Sequence, residues 1–237
     1  MKTSPDRQPG TILLVGASRG LGLAMADEFV KKGWHVVGTV RESGRTELHD
    51  LADTYRGQIT IAPLDITEPD QISDLRERLS GNALDILFVN AGTANRDAAE
   101  TIAEVSTEEF VRVMLTNTLG VIRAVEGFQD LVESAGVIGI MSSGQGSIAN
   151  NTKGGFEVYR GSKAALNQYM RSFAARHADD PRAMVLMAPG WIRTALGGPH
   201  APFSVEETIP QLIDTLLAQR GIPGLRFIDR HGETVPW

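Results

Sequence analysis

Short apolar runs rich in β-branched residues recur along the chain at 11–16, 34–40, 58–63, 84–90, 136–142, 183–188 and 225–229. Their central residues are apolar on both alternating faces, as in ILLV, DILFVN and VIGIM, which is the pattern of parallel strands covered on both sides. Between them run helical patterns. Ile209, Leu212, Ile213, Leu216 and Leu217 repeat at three- and four-residue spacing, as do Phe110, Met114, Thr118 and Ile122, each marking one apolar helix face. The alternation predicts a single α/β domain over 11–237: an open, doubly wound parallel sheet of about seven strands with helices on both faces. Such a sheet binds its ligand at the carboxyl ends of the strands, where the strand order reverses.

Composition narrows the classes. The chain is 42% hydrophobic and 22% charged, an ordinary globular balance. A formal net charge of −6 without a basic run gives a nucleic acid no electrostatic footprint to follow. The absence of cysteine excludes disulfides and thiolate chemistry and suits a reducing compartment. His35, His49, His177, His200 and His231 are scattered without metal-ligand spacing, so no metal is expected. The polar opening MKTSPDRQPG reads as a mobile tail over 1–10. The TILLVG run after it is too short for a signal-peptide core or a membrane span, which points to the cytoplasm.

The first strand ends in a glycine turn, Gly16-Ala17-Ser18-Arg19-Gly20-Leu21-Gly22, which opens an amphipathic helix through Met25 and Phe29. Residues without a Cβ let the backbone approach a pyrophosphate, held there by free N–H groups and the helix dipole. The spacing is G-x3-G-x-G and not the better-known G-x-G-x-x-G, and three glycines can also serve tight packing alone. Their place on the first strand-to-helix turn favours the ligand-binding reading. Arg41 follows the second strand, where a dinucleotide's adenosine ribose belongs. A carboxylate there would repel a 2′-phosphate, whereas a guanidinium pairs with it, so NADP(H) is favoured over NAD(H). Arg19 is a second candidate for that phosphate; the alternative for either arginine is a solvated surface charge.

Tyr159 and Lys163 stand four apart at the start of a helix and so share a face. A neighbouring ammonium, together with a cationic nicotinamide, favours phenolate, which turns the pair into a general acid–base. Alone this spacing is common. In order along the chain it is joined by GASRGLG, Leu64-Asp65-Ile66, Asn90-Ala91-Gly92, Asn117, Ser142-Ser143 and Pro189-Gly190 with Thr194. With that set, essentially the whole chain resembles the short-chain dehydrogenases/reductases. The stretches MSSGQGSIANNTKGG, APGWIRTALGGPHAP and FIDRHGETVPW look like its C-factor-like branch.

The resemblance implies a Rossmann-type fold and interconversion of a carbonyl and an alcohol with NADP(H). In it, Tyr159 is the proton donor, Lys163 a partner of both the tyrosine and the nicotinamide ribose, and Ser143 a donor to the reacting oxygen. Asn117 would bend the helix expected from 106 to about 133 and anchor a proton-relay water. Asp65 and Ile66 would lie beside the adenine, Asn90, Ala91 and Gly92 along the cofactor, and Pro189, Gly190, Ile192 and Thr194 near the carboxamide. One departure stands out: Ser143 precedes Tyr159 by 16 positions, about three more than in most of the family. Ser147 is thus a rival donor on spacing. Ser143 is preferred at a rigid strand end, with Ser142 facing away. Phe156, Trp191 and Phe203 suggest an apolar pocket for a neutral aldehyde or ketone, and Gly197-Gly198-Pro199 a lid hinge. Assembly into a homodimer or homotetramer through the helices from Ser106 and Glu157 is implied as well. The rival readings are a dinucleotide-binding signalling protein of C-factor type and a dehydratase or epimerase on the same fold.

Overall fold

A computed structural model describes residues 10–41 and 44–237; of the expected tail, 1–9 lie outside the described residues. Seven strands form one parallel sheet, β1 Thr11–Val15, β2 His35–Val40, β3 Ile59–Pro63, β4 Leu84–Val89, β5 Val132–Met141, β6 Ala183–Ala188 and β7 Gly224–Asp229, in the order β3-β2-β1-β4-β5-β6-β7. The order reverses between β1 and β4, which pair in register from Ile12 with Ile86 to Val15 with Val89. This is the switch point at which parallel sheets hold their ligands.

The double-sided apolar pattern fills two cores. On one face Leu13, Leu87, Ile138 and Leu186 meet Ile72 and Leu75 of α3 (Pro69–Arg78), Val125 and Phe128 of α5 (Val121–Phe128) and Leu166 and Phe173 of α6 (Glu157–Arg176). On the other, Ile12, Phe88 and Val185 meet Met25 and Phe29 of α1 (Gly20–Lys31), Leu48 of α2 (Glu47–Thr54) and Leu212 and Ile213 of α7 (Val205–Ala218). Strand residues one apart thus feed opposite cores, as the period of two requires.

The helix expected from 106 to about 133 departs from expectation in two ways. It opens as α4 (Thr107–Met114), with the Ser106 hydroxyl accepting the Glu109 N–H, then widens into a π-helical segment, Leu115–Gly120, before α5. It also ends sooner, in a short 3-10 turn at Gln129–Leu131, because β5 begins at Val132 instead of 136. Val132 pairs with Leu84, and a register shift between Leu84 and Ile86 lets the longer strand continue; such a bulge absorbs the extra residues. Glu133 is therefore a strand residue. Among the described residues no helix is long and apolar enough to cross a membrane.

Candidate functional site

The carboxyl ends of β1, β4, β5 and β6 carry the motifs. After β1 the chain turns at Gly16, whose φ of +85° is open to glycine and strained for other residues. The turn is fastened to both neighbouring strands. Gly16 N–H donates to Thr39 Oγ1 at 2.9 Å, Ala17 N–H to the Thr39 carbonyl, and Asn90 Nδ2 to the Gly16 carbonyl at 2.8 Å. A Cβ on Gly22 would come within 2.0 Å of that same carbonyl oxygen, so the helix approaches the turn more closely than any side chain permits. Ser18 and Leu21 are half-buried, while Arg19 and Gly20 are exposed.

The N-terminus of α1 is the feature that fits a phosphate. No side chain caps it and no acidic residue occupies its first turn, whereas α4 and α7 are capped by Ser106 and Ser204. Its first N–H groups and its dipole are left to a ligand anion, and a pyrophosphate matches both. Arg41 stands exposed just past β2. Asn90 and Ala91 both donate their N–H to the Val15 carbonyl. Ile66 is buried; one carboxylate oxygen of Asp65 accepts the Thr67 N–H and hydroxyl at 2.9 and 2.7 Å. After β6, the Pro189 carbonyl accepts Arg230 Nη1, Gly190 is exposed, and Ile192 is buried in a bridge to Phe203. Thr194 Oγ1 closes a turn by accepting the Gly197 N–H at 3.0 Å. Trp191 Nε1 donates to the Gly197 carbonyl, drawing the expected hinge region back onto the strand end.

Tyr159, Lys163, Ser143 and Asn117 come together beside this cleft. Tyr159 is half-buried in the first turn of α6, and the Lys163 ammonium lies 5.9 Å from its ring centre. The Ser143 hydroxyl interacts with the phenol and favours its ionised form, but burial outweighs this and pushes the tyrosine above its ordinary pKa. In this structure Lys163 donates Nζ to the Met141 carbonyl at 2.9 Å, and burial lowers its own pKa to about 8.

Ser143 follows β5 and caps a single 3-10 turn, accepting the Gln145 N–H. Ser142 lies one residue past the strand and does turn away, donating its hydroxyl to Asn167 Oδ1 at 2.6 Å. Ser147 is buried and tied to Asn150 N–H and the Trp237 carbonyl, which leaves it no part beside the phenol. Asn117, fully buried in the π segment, accepts the Thr93 N–H and donates to the Thr93 carbonyl, both at 2.7 Å, and donates to Ser162 Oγ at 3.0 Å. Widening of the helix at this residue gives its carboxamide room to serve the loop and α6 together.

Sequence reading missed the support of this loop. Arg112 and Glu109 of α4 clasp residues 93–96; an i,i+3 charge pair is so common on helix surfaces that nothing local singles it out.

An uncapped helix at the switch point of a doubly wound sheet, with a tyrosine and lysine on one helix face beside it, is the arrangement of a dinucleotide-binding α/β protein. The chain belongs to the short-chain dehydrogenase family of oxidoreductases, whose model, described as short chain dehydrogenase, matches residues 10–202. A short-chain dehydrogenase/reductase from Burkholderia multivorans solved with bound NADP is 61% identical, with a TM-score of 0.95 over 97% of this chain and 100% of that one. A carbonyl reductase from Pseudomonas aeruginosa PAO1 in complex with NADP is 32% identical, with a TM-score of 0.89 over 97% and 100%. The C-signal protein of Myxococcus xanthus is 30% identical over 156 residues, covering 65% of this chain and 93% of that protein, in keeping with the C-factor-like stretches.

Proposed function

We propose that the protein is an NADP(H)-dependent reductase that interconverts an aldehyde or ketone and its alcohol, with Tyr159 as general acid and base. The observation that carries this reading is the half-buried Tyr159 set against Ser143 and Lys163 at the carboxyl edge of the sheet, next to the uncapped end of α1. The NADP bound in the Burkholderia and Pseudomonas proteins supports the choice of cofactor, and the exposed Arg41 suits its 2′-phosphate. When bound, the nicotinamide supplies the hydride.

The protein's own part is binding and proton handling. The first turn of α1 holds the pyrophosphate. Ser143 donates a hydrogen bond to the carbonyl oxygen, and Tyr159, kept protonated by its burial, delivers the proton to that oxygen as it gains charge. Lys163, held near the phenol, would hold the ribose and favour the phenolate that remains once the proton has been delivered. Asn117 keeps the loop carrying Gly92 and Thr93 fixed behind them. Phe156 and Trp191, both exposed, offer apolar surface to a neutral substrate.

The test is consumption of NADPH absorbance with a panel such as benzaldehyde, hexanal, cyclohexanone and acetophenone. Tyr159→Phe is expected to abolish turnover while leaving NADPH affinity within about a few-fold, since only the proton donor is removed. Retained turnover in that variant defeats the assignment. Failure of wild type on every carbonyl, with NADPH still bound, favours the regulatory reading that C-signal brings with it.

A further inference from the structure

Arg112 projects from α4 onto the loop that follows β4. Its guanidinium donates Nη1 to Thr93 Oγ1 at 2.9 Å and Nη2 to the Ala94 carbonyl at 2.7 Å. It also forks onto Glu109, with Nε to Oε2 at 2.9 Å and Nη2 to Oε1 at 2.8 Å. The Glu109 carboxylate then accepts the Arg96 N–H at 2.7 Å. A single ion pair, assembled within one helix, thus grips a loop at residues 93, 94 and 96. Forked charge-assisted bonds of this kind fix geometry in a way that a lysine's point charge does not. Glu109 is buried, so the pair also carries a penalty for losing either member.

The gripped loop leads directly to the proposed chemistry. Thr93 is held on both backbone groups by Asn117. A Cβ placed on Gly92 would stand 3.4 Å from Asn117 Oδ1 and 3.5 Å from Lys163 Nζ, which puts this backbone against the lysine. Farther along, the Ala98 carbonyl accepts the Phe156 N–H at 3.2 Å, and the Ile102 N–H donates to Glu157 Oε2 at 2.7 Å. Phe156 and Glu157 are the cap and first residue of the helix that carries Tyr159. The loop is therefore anchored by α4 at one end and seats the tyrosine helix at the other.

We propose that Arg112, acting through Glu109 and the loop at 93–102, is a positioning residue that sets the start of α6, and with it Tyr159 and Lys163, against the reacting carbonyl. This rests on the reading of Tyr159 as proton donor. Arg112→Lys keeps the charge but loses the fork. With NADPH and the panel carbonyl reduced fastest, its kcat should fall about tenfold or more, since small misplacements of reacting groups carry costs of that order. NADPH affinity, held chiefly at the glycine turn and Arg41 with Lys163 a smaller contributor through the ribose, should stay within about threefold.

Two readouts separate positioning from loss of folded enzyme. With nicotinamide-deuterated NADPH, the isotope effect on kcat should rise in Arg112→Lys as the chemical step becomes limiting; a partly unfolded sample turns over with the wild-type isotope effect. Independently of activity, amide hydrogen exchange should speed up in peptides covering 93–102 and 155–160 and stay unchanged over 11–30. Glu109→Gln should show the same pattern in milder form and carries the test if an Arg112 variant does not fold. Unchanged exchange in those peptides, or a lower kcat with the wild-type isotope effect, overturns the proposal. An active Tyr159→Phe overturns instead the reading beneath it.

Discussion

Lys163 keeps an ammonium where water does not reach, and its proton is correspondingly easy to lose. Burial lowers its pKa from 10.5 to about 8, so between these values the unfolded chain holds a proton that the folded one has shed, and stability rises with pH across that window. Below pH 8 both states are charged and the full penalty applies, on the order of 3 kcal/mol from a shift of this size. Without nucleotide, Lys163→Met should be more stable than wild type in urea at pH 7, and the advantage should shrink steadily toward pH 10. A constant difference across that range would mean that the lysine is not desolvated. At the other end of the cleft, Arg41 stands exposed past β2, where a 2′-phosphate would meet it near water. A charged hydrogen-bonded pair contributes about 1.5–3 kcal/mol, so Arg41→Asp should cut kcat/KM for NADPH roughly ten- to hundredfold while sparing NADH. High salt should erode the wild-type preference. Equal kcat/KM for both nucleotides in wild type would make Arg41 a surface charge only.

Among the elements, α4 and α6 present apolar side chains that the described residues leave exposed: Phe110, Val111 and Leu119 on the first, its π segment included, and Tyr169 on the second. We propose that these helices meet those of a second copy, and sedimentation at micromolar concentration should show a dimer or tetramer; a lone 25.6 kDa species would refute it. The strands were legible because a run buried on both faces has a signature independent of its partners, and six of the seven begin within one residue of where the apolar runs place them. β5 was not, because its first residues owe their extended form to a bulge against Leu84, a tertiary event. The π turn was likewise invisible, since Leu115–Gly120 reads as ordinary helix and widens around contacts with Thr93 and Ser162 that lie 24 and 45 positions away. That Tyr159 and Lys163 share one face of α6 was legible from their four-residue spacing. The sign of the tyrosine's shift was not, because it depends on burial, which spacing does not report. The uncertainty between Ser143 and Ser147 had the same root: counting back from the tyrosine measures chain, whereas strand β5 and helix α6 fix the distance through space.

At the scale of the whole molecule, the sheet order brings early and late parts of the chain to one edge. The hydrogen bonds of the glycine turn to Thr39 and Asn90 join residues of the first 90, while the helix that the turn opens packs on Leu212 and Ile213 of α7. The segment between Ser143 and Tyr159 is different. It is fastened to Trp237, whose carbonyl accepts the Ala149 N–H at 3.0 Å and the Ser147 hydroxyl, and whose ring packs on Phe227 of β7 and under Arg171 of α6. The loop between Ser143 and Tyr159 therefore takes its hold from a residue 90 positions beyond Ser147, and loss of Trp237 would free the catalytic side of the cleft while leaving the hydrogen bonds of the nucleotide side in place.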